Sequence, residues 1–254
     1  MRQILPYFMT FIMTSCVSVN YYQVYKANAD GGLQSDNKII FEDKNCRVYY
    51  DLWEEGGDSG FYIFNNTDKD MTVDLTKSFF VLNGVSHEYY LNRTFTKTNS
   101  SGAAVTMNSY SYLYAKPTNV SGTSSASYAT SYGEKPIITI PFKTMVNITE
   151  YQVSNSRYIN CDLPKYPSLK DIKTVKFDKT NSPFVFYNLI TYTVNGETSK
   201  FENSFYVSEV TNFPEESMFT AIDKSLCGNK LETPIKAFKN VSPDKFYVKY
   251  TREN

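Results

Sequence analysis

The chain has one histidine in 254 residues, His87, and that scarcity excludes more than any motif suggests. Ser-His-Asp and Cys-His catalysis both need an imidazole base. His87 has only Glu88 beside it, which makes no catalytic motif, so an edge-strand or surface position is expected. Metal sites built on histidine are almost excluded by the same count. Charge of one sign is also missing. Lys plus Arg and Asp plus Glu are 26 each, so no basic field is present to recruit nucleic acid. Residues Lys165 to Lys179 hold five lysines, but Asp171 and Asp178 interrupt them, as in a solvated face. Gly31-Gly32 and Gly56-Gly57 lack the Lys-Ser/Thr that completes a phosphate loop. No enzyme activity and no cofactor are implied.

Cysteine is sparse, at 4 residues. Cys46, Cys161 and Cys227 match no zinc spacing. They fit either small buried apolar side chains or one disulfide with a thiol left over. Asn-x-Ser/Thr triplets occur at Asn65, Asn92, Asn99, Asn119, Asn147 and Asn240. In a chain this rich in Asn, Ser and Thr, such triplets arise by chance.

What is present begins at the first residue. Arg2 is followed by an almost wholly apolar run, Ile4 to Met13, and then by Thr14-Ser15-Cys16. A run of about ten residues is half of what a transmembrane helix needs. A basic start, a short apolar core and a small-residue cleavage site together make a signal peptide. This one resembles a bacterial lipoprotein signal, with Cys16 as the lipidated residue. The resemblance implies cleavage after residue 15 and attachment to a membrane through diacylglycerol and acyl chains on Cys16. Several chains make such an anchor durable.

The remainder reads as strands. Tyr is 22 and Phe 18, and aromatic and β-branched residues favour sheets. Val17 to Lys26 alternates with a phase shift that predicts a bulge. Asn28 to Asn37 reads as a turn-rich linker. Cys46 to Trp53, Gly60 to Asn65, Met71 to Leu75 and Phe79 to Leu82 alternate in short segments. Asn83-Gly84 and Asn195-Gly196 are hairpin signals. Pro141 predicts an edge or a bulge. Thr174 to Phe177, Phe184 to Val194, Lys200 to Val210 and Phe246 to Tyr250 complete the series. Pro214-Glu215-Glu216 opens one helix, expected to run to about Leu226. The expected fold is all-β: an antiparallel β-sandwich with Ig-like character plus one short C-terminal helix. The expected division is a signal peptide over 1–15, a lipidated N-terminus with first strand and linker over 16–37, and the sandwich over 38–254.

Two stretches invite binding hypotheses. Residues 96–135 are dominated by Ser, Thr, Gly, Asn and Tyr, part of them an extended hairpin. Tyr110, Tyr112, Tyr114, Tyr128 and Tyr132 are the candidate binding residues there, because tyrosine gives contact area at small entropic cost. Asp51, Glu54, Glu55 and Asp58 surround Trp53, the only tryptophan. That composition suits a sugar or calcium site, or else a solvated turn with Trp53 in the core.

The lipobox, YYQVYK, FNNTDKDMTVDLTKSFFVLNG, NSPFVFYNLITY and FYVSEVTN together resemble uncharacterised lipoproteins of the Bacteroidota. The resemblance implies an envelope location and supplies no activity. Val17 to Gln23, just after Cys16, hold no acid, which tilts the expectation to an outer-membrane anchor facing the periplasm. The expected function is a non-enzymatic binding or structural module with a protein or glycan partner. A carbohydrate-active lipoprotein and a pilus or envelope-assembly component are the alternatives.

Overall fold

The computed structural model describes residues 19–35, 37–100, 127–222, 225–226, 229–230 and 234–252. The chain opens with β1 (Val19–Asp30), β2 (Leu33–Gln34), β3 (Ile39–Glu42) and β4 (Cys46–Tyr50). Then come β5 (Phe61–Asn65), β6 (Met71–Leu82), β7 (Val85–Glu88), β8 (Thr94–Ser100) and β9 (Ser127–Gly133). The middle of the chain forms β10 (Ile137–Ile140), β11 (Met145–Ile148), β12 (Thr174–Lys176), β13 (Val185–Val194) and β14 (Glu197–Pro214). The C-terminal part forms α1 (Glu215–Met218), β15 (Phe219–Ile222), β16 (Ser225–Leu226), β17 (Asn229–Lys230), β18 (Ile235–Phe238) and β19 (Lys245–Arg252).

The fold is all-β, and every ladder between these strands is antiparallel. The larger sheet runs β10-β6-β13-β14-β1-β19, with β7 beside β6 and β12 beside β14. Two long strands make this possible. β14 pairs with β13 through Glu197 to Tyr206 and with β12 through Glu209 to Thr211, while β1 covers its other edge. The smaller sheet is β11-β5-β4-β3-β2. The two sheets close on one core in which Phe205 of β14 meets Tyr50 of β4 at 4.9 Å and Phe41 of β3 at 5.4 Å. Phe205 also stacks on Phe186 at 5.1 Å.

Alternation explains most inward faces. Cys46, Val48 and Tyr50 of β4 are buried, as are Phe61, Ile63 and Asn65 of β5. Asn83 and Gly84 take φ of 48° and 81°, and Asn195 and Gly196 take 51° and 81°. Two successive left-handed residues match the twist of the strands they join, which is why Asn-Gly marks both turns. β10 ends at Ile140 as an edge strand, ahead of Pro141.

Four sequence expectations change. The two segments over 71–75 and 79–82 are one strand. The side chains of Thr76 and Lys77 face outward and the alternation resumes out of phase. A register shift against Leu189/Thr191 marks the bulge, where Ser78 Oγ accepts from Thr191 N at 3.1 Å. The stretch over 28–37 is no free linker at its start, because β1 continues to Asp30 opposite Ser204. β1 lies inside the larger sheet, and its bulge falls at Lys26/Ala27. The expected helix to Leu226 is only Glu215–Met218. Phe219 to Ile222 turn instead into a ladder with Ile235 to Phe238, since Phe219 gains more by packing on Phe238 at 4.4 Å than by extending a turn without a side-chain cap. Finally, Cys46 is a buried free thiol, but Cys161 is free and exposed. Cys161 is therefore neither a core side chain nor bonded to Cys46; Cys227 lies outside the described residues. Among the described residues no helix is long and apolar enough to cross a membrane.

Candidate functional site

The tyrosine-rich stretch is the first candidate. β8 and β9 pair from Thr94↔Gly133 to Ser100↔Ser127, so the expected hairpin exists at its root. Tyr132 is 58% exposed and stacks on Phe95 at 5.5 Å. Tyr110, Tyr112 and Tyr114 lie outside the described residues, as does the side chain of Tyr128. Cys16 is also outside them. The root is held by charge. Arg93 Nη2 contacts Glu134 Oε1 at 2.5 Å, and Arg93 Nη1 contacts Glu150 Oε1 at 2.6 Å. Burial opposes charge on Glu134, whose side chain is 7% exposed. Bonds from the Arg93 side chain and from the Arg93 and Leu91 backbone outweigh this and hold its carboxyl below the usual range.

The acids around Trp53 do not converge. Asp51 is taken by Lys38 at 3.1 Å. Asp58 Oδ1 accepts from Gly60 N and Thr149 Oγ1. Glu54 and Glu55 are exposed, and burial followed by the charge of Asp58 raises the Glu54 carboxyl. Among the described residues no group of three or more His, Cys, Asp or Glu side chains is placed for a metal ion. His87 is half-buried on β7 against the Phe80 and Tyr151 rings.

Trp53 instead belongs to a second aromatic cluster on the outer face of the larger sheet. The loop after β4 is bonded to β19: Gly56 N donates to Tyr247 O at 2.8 Å, and Glu55 bridges Tyr247. This swings the indole to 5.3 Å from both Tyr247 and Phe238. Tyr22 of β1 adds its ring 5.4 Å from Phe219 and 5.8 Å from Tyr247. Burial, then the charges of Glu215, Tyr247 and Glu55, push the Tyr22 hydroxyl up to about 12. The β15–β18 hairpin and Met218 of α1 thus cover outward residues of β1, β14 and β19, which carry Tyr22, Val24 and Lys26 beside Phe213, Thr211 and Glu209.

The cover is incomplete. A cavity of about 210 Å³ remains between sheet and hairpin. Its floor is Val24, Lys26, Glu209, Thr211 and Phe213; Trp53, Met218, Lys239, Asn240 and Lys245 wall it. A second cavity of about 400 Å³ meets it at Lys26 and Glu209 and continues along Asn28, Gln34 and Asp244. Charge in the first cavity is lopsided. Lys26 lies opposite Lys245 in the β1–β19 register and opposite Glu209 in the β1–β14 register. Glu209 is also shared with Lys176 at 3.9 Å. Like charges facing each other across strands are destabilising, and Lys239 adds a third ammonium against one carboxylate. The arrangement suits a small anion beside a flat ring.

Of the two sequence readings of the acids around Trp53, a sugar or calcium site or a solvated turn with Trp53 packed inside, the exposed Glu54 and Glu55 fit the turn. Trp53 packs on Phe238 and Tyr247 of the outer face. Lys26, Lys239 and Lys245 were missed because only the β1–β19 ladder brings Lys26 to the other two; the alternation of β1, with Lys26 on the Tyr22 and Val24 face, was the one hint. Compared with protein families, curated proteins and solved structures, the chain matches none.

Proposed function

We propose that this is a lipid-anchored envelope protein that acts as a non-enzymatic binding module, held through acyl chains on Cys16 at the outer membrane and facing the periplasm. The anchor reading is supported by the order of Arg2, the apolar run and Cys16. The binding reading is carried by one observation, the like-charged pair Lys26 and Lys245 in a cleft walled by Trp53. The ligand class that fits is an acidic sugar unit. Its carboxylate is held by the ammonium groups, and its less polar ring face lies on the indole.

Because Trp53 is the only tryptophan, its fluorescence reports this cleft alone. Titration with glucuronate is expected to give a saturable emission change that glucose does not give, and Lys26→Gln/Lys245→Gln is expected to weaken it at least tenfold. An unchanged emission with glucuronate in millimolar excess would overturn the reading. For the anchor, Cys16→Ser is expected to abolish lipid labelling and leave the precursor unprocessed.

A further inference from the structure

The end of β1 at which the chain enters the fold carries a surface apart from the cleft. Tyr21, Tyr166 and Tyr250 pack together, with ring centroids 5.1 Å apart for Tyr21–Tyr166, 5.7 Å for Tyr21–Tyr250 and 6.2 Å for Tyr166–Tyr250. Three cations stand over these rings. Arg157 lies 5.3 Å from the Tyr250 centroid, Arg252 5.4 Å from that of Tyr166, and Lys165 Nζ 5.0 Å from the same ring. Tyr250 Oη donates to the Lys165 carbonyl at 2.6 Å, tying the 154–173 loop to β19. Arg157, Lys165 and Arg252 form no ion pair with a described acidic residue.

The surroundings are biased the same way. Residues 156–173 carry Arg157, Lys165, Lys170 and Lys173 against Asp162 and Asp171. The loop also exposes Ile159 at 76% and Leu169 at 55%. Glu215, on the opposite face of β1, is engaged by Asn20 at 2.9 Å and Lys236 at 3.3 Å.

Position decides what meets this surface. Val19 pairs with Arg252. Cys16 is three residues before Val19, a reach of about 10 Å even when fully extended. An acylated Cys16 therefore brings this end of the sandwich to the bilayer surface. We infer that the face formed by Arg157, Lys165, Tyr166, Tyr250 and Arg252 docks on the anionic phospholipid headgroups of the membrane that holds the anchor. This inference rests on the lipid-anchor reading. Guanidinium and ammonium groups meet the phosphates, the tyrosines sit at headgroup level, and Ile159 and Leu169 supply apolar contact at the acyl boundary. Docking of this kind fixes the orientation of the sandwich on its tether, where acyl chains alone leave it free to swing.

The test uses a chain that starts at residue 16 with Cys16→Ser and so keeps every described residue. It is sedimented with phosphatidylcholine vesicles with and without phosphatidylglycerol. Each basic residue near an anionic surface is worth roughly a fivefold gain in partition, so Arg157→Gln/Lys165→Gln/Arg252→Gln is expected to lose binding on the order of a hundredfold. Binding is expected only with phosphatidylglycerol present, and added salt should release it. Equal binding to both vesicles, no binding to the anionic ones, or full binding by the triple variant overturns the inference. The salt titration on the unsubstituted loop decides the matter should the triple variant not fold. Mass measurement of the Cys16 peptide from cells reads acylation separately, so failure of the anchor and failure of the docking face are told apart.

Discussion

The two faces of the larger sheet are both apolar at β1, β14 and β19, yet they are built differently. The inner face carries Tyr25, Phe205, Val207, Val210 and Phe246, all fully buried. Tyr25 and Phe246 stack there at 4.6 Å and 8°. Polar groups on that side are fully bonded. Tyr89 Oη donates to Asn188 Oδ1 at 2.6 Å, and Asn188 Nδ2 donates to Ser59 O at 2.9 Å. Among the described residues no buried side-chain nitrogen or oxygen lacks a partner. The outer face carries Tyr22, Trp53, Phe219, Phe238 and Tyr247, mostly half-buried, with lysines between them and a cavity beneath. Close packing with satisfied polar groups is what stability requires. A partly filled face with surplus charge gives some stability away, and such a face is where a ligand can contribute.

Substitutions separate the two faces. Phe205→Ala should have the largest effect, about 3–5 kcal/mol, because it opens a cavity among Tyr50, Phe41 and Phe186. Urea unfolding followed by far-ultraviolet circular dichroism checks this; a loss below about 1 kcal/mol means the sandwich core is not where stability lies. Arg93→Ala should cost about 2–3 kcal/mol. It removes the counter-charge of the nearly buried Glu134 and leaves it only its bonds from the Leu91 and Arg93 backbone, with a further discount because Arg93 is itself 24% exposed. Gly57→Ala touches both faces. Gly57 has φ of 79° and its added Cβ would stand 2.7 Å from the Phe246 ring, so about 2 kcal/mol is expected to be lost, with the Trp53 loop displaced from β19. A blue- or red-shifted Trp53 emission reads that displacement.

Phe238→Ala should cost less, about 1–2 kcal/mol, because the ring is half-buried. It should nonetheless abolish the glucuronate response, since Phe238 props Trp53. A variant that keeps the response would erase the distinction between the faces. Smallest is the pH effect at Glu134. Its folded carboxyl lies below the unfolded value of 4.5, so its contribution is fully present above that value. The contribution is lost as pH falls through the folded pKa. Glu134→Gln should flatten that acid limb, and unfolding curves at stepped pH measure it.

The strands were legible because alternation and turn chemistry are local. Val48 and Tyr50 announce their face by spacing, and Asn83-Gly84 and Asn195-Gly196 announce their turns. The missed features are non-local or competitive. Residues 76–78 read as a strand break, since a bulge and a turn both interrupt alternation; Thr191 across the ladder makes it a bulge. Pro214-Glu215-Glu216 reads as a helix start, and it is one, but Phe238 competes for Phe219 within a turn. The acids near Trp53 were adjacent in sequence and went to separate partners, whereas Lys26, remote in sequence from Lys239 and Lys245, lines the same cavity as they do.

The sequence by itself determined the fold class, most strand positions and the two Asn-Gly turns, because those follow from side-chain period and from φ preferences within a few residues. Only the tertiary structure decided the order of strands, the burial of β1 between β14 and β19, and the cleft under the β15–β18 hairpin. Those depend on which distant surfaces bury each other. That is a free-energy comparison among pairings nearly 200 residues apart, such as Tyr21 with Pro214, and no local pattern encodes it.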